Sequence, residues 1–292
     1  MTSLDLSLQA PERRRAMSAA GLLAAGLGAL GAAPAAQANT PAAKPLAGKA
    51  AIVTAARNNQ GRAYAVRLAQ LGADLVLHFH RHDTKDQNDE TLRLVRAEGV
   101  RATSVVGDMA DATVAQATFD AAQSAYGKVD IVVNTVGVIV KKPFAQLTDA
   151  DYERSERANV RALFNVFRQA AQRLADNGRL IHIGTSLTAG TAPGYALYAG
   201  TKAPCEEFTR MLAREVGKRG ITINSIAPGP LDNTFFHAAE TPESVRFASN
   251  LSVTGRLGRE GDVTPLVAFL AQPESQWVTG QTLWVNGGYL TR

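Results

Sequence analysis

Tyr198 and Lys202 stand four residues apart in the run Tyr198-Ala199-Gly200-Thr201-Lys202. On a helix that spacing puts a phenol and an ammonium on one face, one turn apart. A tyrosine with its ordinary pKa of about 10 is a poor acid near neutrality. A cation beside it stabilises the phenolate and lowers that pKa, which turns the hydroxyl into a general acid or base. A core-edge tyrosine followed by a solvated lysine gives the same spacing. The pair therefore gains meaning only if the rest of the chain supplies a cofactor and a reaction.

The 292 residues are 46% hydrophobic and 20% charged, enough for one α/β domain with a full core. A pI near 9.5 suits anionic ligands. The basic residues are dispersed and not interleaved with aromatics, which argues against a nucleic-acid partner. The single cysteine, Cys205, can form no internal disulfide and reads as packed apolar filler. No Cys/His cluster has metal-ligand spacing, so no metal site is expected.

Residues 1–38 differ in composition from the rest of the chain. Arg13-Arg14-Arg15 precedes an Ala/Gly/Leu stretch that closes on Ala36-Gln37-Ala38, a small-x-small cleavage pattern. This is the order of a secretory signal peptide, and the Arg-Arg-x-Met start resembles the twin-arginine type. The stretch is too rich in Ala and Gly to favour a stable membrane span. The expectation is a periplasmic or secreted protein. A non-cleaved leader or a misplaced start codon would leave it cytoplasmic. Residues 39–49, with Pro41 and Pro45, read as a linker, and residues 50–292 as a single domain.

From residue 50 onward, short β-branched runs alternate with helical stretches. Strands are expected at 51–53, 75–78, 103–106, 131–133, 180–183, 221–224 and 282–285. Helices are expected at about 61–71, 90–97, 149–174 and 195–216. Continuous apolar strands separated by helices imply a seven-stranded parallel sheet covered on both faces, a doubly wound α/β fold.

Ligands of such sheets bind beyond the carboxyl ends of the strands. Four of those ends carry suitable residues. The first βα turn, Thr54 to Arg62, includes Arg57, Asn59 and Gly61; a glycine-rich turn here would admit a pyrophosphate, although only Gly61 is glycine. The second end, His78-Phe79-His80-Arg81, has no acidic residue before Asp83 to hold a ribose 2′-hydroxyl. His80 and Arg81, with Arg57, could hold a 2′-phosphate, or could form a solvated basic turn. Gly107-Asp108-Met109 follows the third strand; Asp108 could accept from an adenine amine, with the Met109 backbone beside it. Asn134 to Gly137 follows the fourth: Asn134 could brace the sheet end and Gly137 could allow close approach.

In this order the segments resemble the short-chain dehydrogenase/reductase family, from about residue 48 to the C-terminus. The carrying residues are the turn at 54–61, Asp108, Asn134 to Gly137, Asn159, Thr185 with Ser186, Tyr198-x-x-x-Lys202, Pro228-Gly229 and Asn286-Gly287-Gly288. The second strand's turn and the glycine-poor loop add some likeness to the pteridine reductase branch. Ala55 and Asn59 depart from the family pattern, standing where it has glycine; Asn tolerates a left-handed backbone better than Ala does.

The resemblance implies a Rossmann domain, NADP(H) rather than NAD(H), a small-molecule carbonyl or alcohol substrate, and a homotetramer or dimer. Tyr198 would exchange the proton, and Lys202 would lower its pKa and bond the nicotinamide ribose. Asn159 would hold a water behind Lys202, and Pro228 and Gly229 would border the nicotinamide. The family's catalytic hydroxyl lies thirteen positions before the tyrosine, which is Thr185; Ser186 has the usual residue type and is favoured on that ground. Residues 231–250 would form a mobile lid. The alternative is a non-catalytic NADP(H)-binding sensor or scaffold, which the glycine-poor loop would fit.

Overall fold

The computed structural model describes residues 44–291. The expected leader and residues 39–43 lie outside them. The rest of the expected linker turns against the domain: Leu46 is buried in the core, and its N–H donates to the Leu71 carbonyl.

Seven strands form one sheet: β1 (Ala50–Val53), β2 (Asp74–His80), β3 (Ala102–Gly107), β4 (Ile131–Asn134), β5 (Arg179–Ile183), β6 (Thr222–Pro228) and β7 (Gln281–Val285). Their order is β3-β2-β1-β4-β5-β6-β7, with every pairing parallel. The period-two alternation of a strand divides their side chains between two cores. Val53, Leu75, Leu77, Val133 and Ile181 face one side, with helices α1 (Asn59–Gln70), α2 (Lys85–Ala97) and α10 (Glu260–Leu270). Ile52, Val76, Val132, Leu180 and Ile223 face the other, with α3 (Ala112–Tyr126), α5 (Ala162–Arg173) and α7 (Pro204–Val216). The strand order reverses between β1 and β4, so their diverging loops open a crevice at the carboxyl edge.

Three features of the helices differ from expectation. Helix α3 was not anticipated, because its sheet-facing residues include small ones such as Ala115 and Ala122. The helix expected over 149–174 is α4 (Asp149–Ser155), a π-helical turn (Glu156–Arg161) and α5. The helix expected over 195–216 stops as α6 (Ala196–Lys202) and restarts at Pro204, which has no N–H to continue the ladder. The expected lid contains α8 (Thr234–His237) and α9 (Pro242–Leu251), neither of which buries a residue.

Candidate active site

The first βα turn solves its lack of glycine locally. Ala55 and Asn59 both take left-handed backbone, with φ of +48° and +45°. Gly61 is obligatory, since a Cβ there would lie 2.2 Å from the Ala55 carbonyl oxygen. Side chains brace the turn. Arg62 Nη2 and Thr91 Oγ1 donate to the Arg57 carbonyl at 2.6 and 3.0 Å, and Asn59 Nδ2 donates to Thr234 Oγ1 at 2.9 Å. Thr54, expected at the cofactor, spends its hydroxyl inside the sheet: Oγ1 donates to Asn134 Oδ1 (2.7 Å) and accepts from the Thr135 N–H (2.9 Å). Asn134 also donates from Nδ2 to His182 Nδ1 at 3.1 Å, which links it to β5.

Beyond β2 and β3 the cations are paired. Arg57 meets Asp83 at 3.1 Å. Asp108 accepts from Arg81 Nη2 at 2.9 Å and from Arg157 Nε at 2.8 Å, with His80 Nε2 3.9 Å away. The Arg157 guanidinium and the Ala110 N–H help hold the Asp108 carboxyl below its ordinary range, against the opposing effect of burial. Arg157 was not singled out in the sequence, where it is one charged residue on a helix. The Met109 side chain is core, and its carbonyl accepts from Asn165 Nδ2 at 3.1 Å.

The catalytic candidates meet past the carboxyl end of β5. Tyr198 and Lys202 share α6 and are both buried. Lys202 Nζ donates to the Ile183 carbonyl at 2.8 Å. Gly137 packs against this corner, where an added Cβ would come within 3.2 Å of Asn159 Oδ1 and 3.3 Å of Lys202 Nζ. Asn159 sits in the π turn, and its side chain is already engaged. Oδ1 accepts from the Val138 N–H (2.8 Å), and Nδ2 donates to the Val138 carbonyl (3.0 Å) and Thr201 Oγ1 (2.9 Å). That amide clamps the β4 loop beside Lys202.

The two candidate hydroxyls are differently placed. Ser186 Oγ donates to the Ala227 carbonyl at 3.0 Å, whereas Thr185 Oγ1 accepts from the Leu187 N–H at 3.3 Å and lies beside Tyr198. Neighbouring residues leaving a strand point opposite ways, and it is Thr185 that faces the phenol. Burial, rather than Lys202, dominates the environment of the Tyr198 phenol. Burial pushes the phenol up to about 12, opposed by the Thr185 hydrogen bond, and burial pushes Lys202 down to about 8.

A second cluster lies beside Tyr198. The Tyr195 ring packs edge-on against the Tyr198 ring, with centroids 5.9 Å apart. Glu240, between α8 and α9, accepts from the Tyr195 hydroxyl and pairs with Lys141 Nζ at 2.6 Å. Sequence reading missed these three residues, which are far apart in the chain and share no motif. Gly229 packs against Asn286 and donates to the Val285 carbonyl, which fixes the exit of Pro228 from β6.

A seven-stranded parallel sheet, a left-handed turn before α1 and a Tyr/Lys helix past β5 define a Rossmann-like α/β domain. Residues 54–290 match the family described as enoyl-(acyl carrier protein) reductase. The chain is 36% identical over 258 residues to an NADPH-dependent aldehyde reductase-like protein of Arabidopsis thaliana, covering 84% of this chain and 96% of that one. It is 37% identical over 253 residues to a short-chain type dehydrogenase/reductase of Picea abies, covering 83% and 93%. A short chain dehydrogenase of Burkholderia cenocepacia, solved in complex with NADP, superimposes with a TM-score of 0.78 at 32% identity, over 84% of this chain and 99% of that one. The chain belongs to the short-chain dehydrogenase/reductase family.

Among the described residues, no helix is long and apolar enough to cross a membrane. None of them form a group of three or more His, Cys, Asp or Glu that could hold a metal.

Proposed function

We propose that this protein is an NADP(H)-dependent oxidoreductase that reduces a small-molecule carbonyl to an alcohol. The observation that carries the reading is the pair of buried groups on α6 past the end of β5, Tyr198 and Lys202, one helical turn apart, with Thr185 beside the phenol. NADPH supplies the hydride when bound. The turn at Ala55, Asn59 and Gly61 suits its pyrophosphate, since its backbone is already left-handed and α1 begins there. Arg57, His80 and Arg81 would hold the 2′-phosphate, the two arginines exchanging Asp83 and Asp108 for it. The NADPH-dependent relative and the NADP complex support this cofactor. Gly137, Pro228 and Gly229 would border the nicotinamide, and Lys202 would bond its ribose.

Tyr198 gives its proton to the carbonyl oxygen while Thr185 donates a hydrogen bond to the same oxygen. A phenol with a pKa of 10 or above is protonated at neutral pH, so the proton that reduction consumes is in place, and a cation brought closer to it would ease its release. Residues 1–38 would direct export by a twin-arginine route; sequencing the native protein should find a new N-terminus near Asn39.

The test is NADPH oxidation over a panel of aldehydes, ketones and quinones, with Tyr198→Phe alongside. The variant should bind NADPH as the parent does and turn over about 10²-fold to 10⁴-fold more slowly. A variant with full activity would refute the mechanism. NADPH binding by the parent without turnover of any carbonyl would favour a sensor or scaffold.

A further inference from the structure

Strand β2 carries a polar residue where its neighbours are apolar. His78 is buried between Leu77 and Phe79, and both of its ring nitrogens are used. Nδ1 accepts from the Ala55 N–H at 3.2 Å, and Nε2 lies 3.2 Å from the Gly107 carbonyl. The His78 carbonyl also accepts from the Ala56 N–H at 3.0 Å. A carbonyl can only accept, so Nε2 carries the proton and Nδ1 is bare. Burial pushes the ring pKa down to about 4, in keeping with a neutral ring. One side chain therefore ties the turn after β1 to the end of β3, across β2.

The residue it holds is strained. Ala55 has a Cβ and a φ of +48°, in a region that glycine enters freely and alanine does not. Its carbonyl lies against Gly61 at the start of α1. Any rotation of the Ala55 peptide would therefore move the mouth of the turn.

We propose that His78 is a positioning residue, whose imidazole holds the Ala55 peptide in the left-handed turn that a glycine would adopt unaided. It acts through Ala55 on the pyrophosphate end of the site, and this role rests on the dinucleotide reading of that site. A histidine that merely fills the core would behave differently. Its loss would cost the same whether residue 55 were alanine or glycine.

The test is a cycle of His78→Phe, Ala55→Gly and the double variant, in the full-length protein. NADPH affinity is read by fluorescence titration, and thermal unfolding is followed without ligand. His78→Phe should weaken NADPH binding about tenfold, and adding Ala55→Gly should recover most of that loss. Parent-like binding by His78→Phe, or a folded double variant that recovers nothing, would overturn the proposal. If His78→Phe does not fold, His78→Gln, whose amide keeps an acceptor and a donor, takes its place. It should bind a few-fold more weakly than the parent, with Ala55→Gly closing the gap; an open gap overturns the proposal. A parent protein that binds no NADPH would sink the dinucleotide reading instead. The positioning role would then stand or fall on whether Ala55→Gly restores the melting temperature lost at position 78.

Discussion

Two adjacent hydroxyls at the end of β5 have opposite employments. Ser186 is tied to the Ala227 carbonyl inside the sheet, while Thr185 reaches Tyr198. Thr185→Ala should therefore lower kcat about 10²-fold, as removal of one oxyanion donor does, with little change in melting temperature. Ser186→Ala should leave kcat within a few-fold and cost about 1 kcal/mol of stability, because it strands a buried carbonyl. Steady-state kinetics and thermal unfolding of the two variants check this; the reverse pattern would restore Ser186 to the chemistry. Residue type pointed to Ser186 and spacing to Thr185. Which one faces the tyrosine depends on how the strand ends, and nothing in Gly184-Thr185-Ser186 announces that. Asn159 and Thr54 stood out as site residues, but the bonds that hold them were not legible, because their partners lie on other elements. His78 offered one signal, a polar residue in an apolar strand.

Among the elements, α8 and α9 stand apart. Neither buries a residue, so few apolar contacts hold them to the domain. Glu240 joins them and is bound on the body side by Lys141 and Tyr195, beside the Tyr198 ring. The Glu240 side chain is only 3% exposed, so this is a shielded ion pair. Removing one partner leaves the other charge buried, at a cost of several kcal/mol when burial is complete. That cost should fall on the segment rather than the whole fold. Glu240→Gln is expected to raise KM about tenfold with a smaller effect on kcat, and to speed proteolytic cleavage within residues 232–251. Unchanged cleavage and unchanged KM would mean that the pair holds nothing. The seven strands were legible because continuous β-branched runs have few other uses in a chain of this composition. The two helix breaks were harder. Pro204 gave a signal, whereas the π turn around Asn159 lies within an ordinary helical pattern.

At the scale of the whole molecule, the sheet is built around two histidines that must stay neutral. His78 spans β1 to β3, and His182 Nδ1 on β5 accepts from Asn134 Nδ2 at 3.1 Å. Burial is the main cause that lowers both, His78 to about 4 and His182 well below 6.5. The unfolded chain would protonate both near pH 6.5, so between that pH and about 4 it binds more protons than the native state. Stability therefore rises with pH through this window and is lost as the solution is acidified. For His78 alone the span from 6.5 to about 4 corresponds to about 3 kcal/mol. The carboxyls of Asp108 and Glu240, held below their ordinary range, act in the same sense at lower pH. Tyr198 acts in the opposite sense at the alkaline end. Its pKa of about 12 against an ordinary 10 means that stability falls as pH rises through that interval. Denaturant unfolding should accordingly show a broad maximum on the neutral to mildly alkaline side and a steep decline from pH 6.5 to 5. His78→Gln should flatten that decline, since one of the three histidines held below 6.5, with His80 and His182, no longer takes up a proton on unfolding. An acid limb as steep in the variant as in the parent would place the acid sensitivity elsewhere than at the ring that braces the turn.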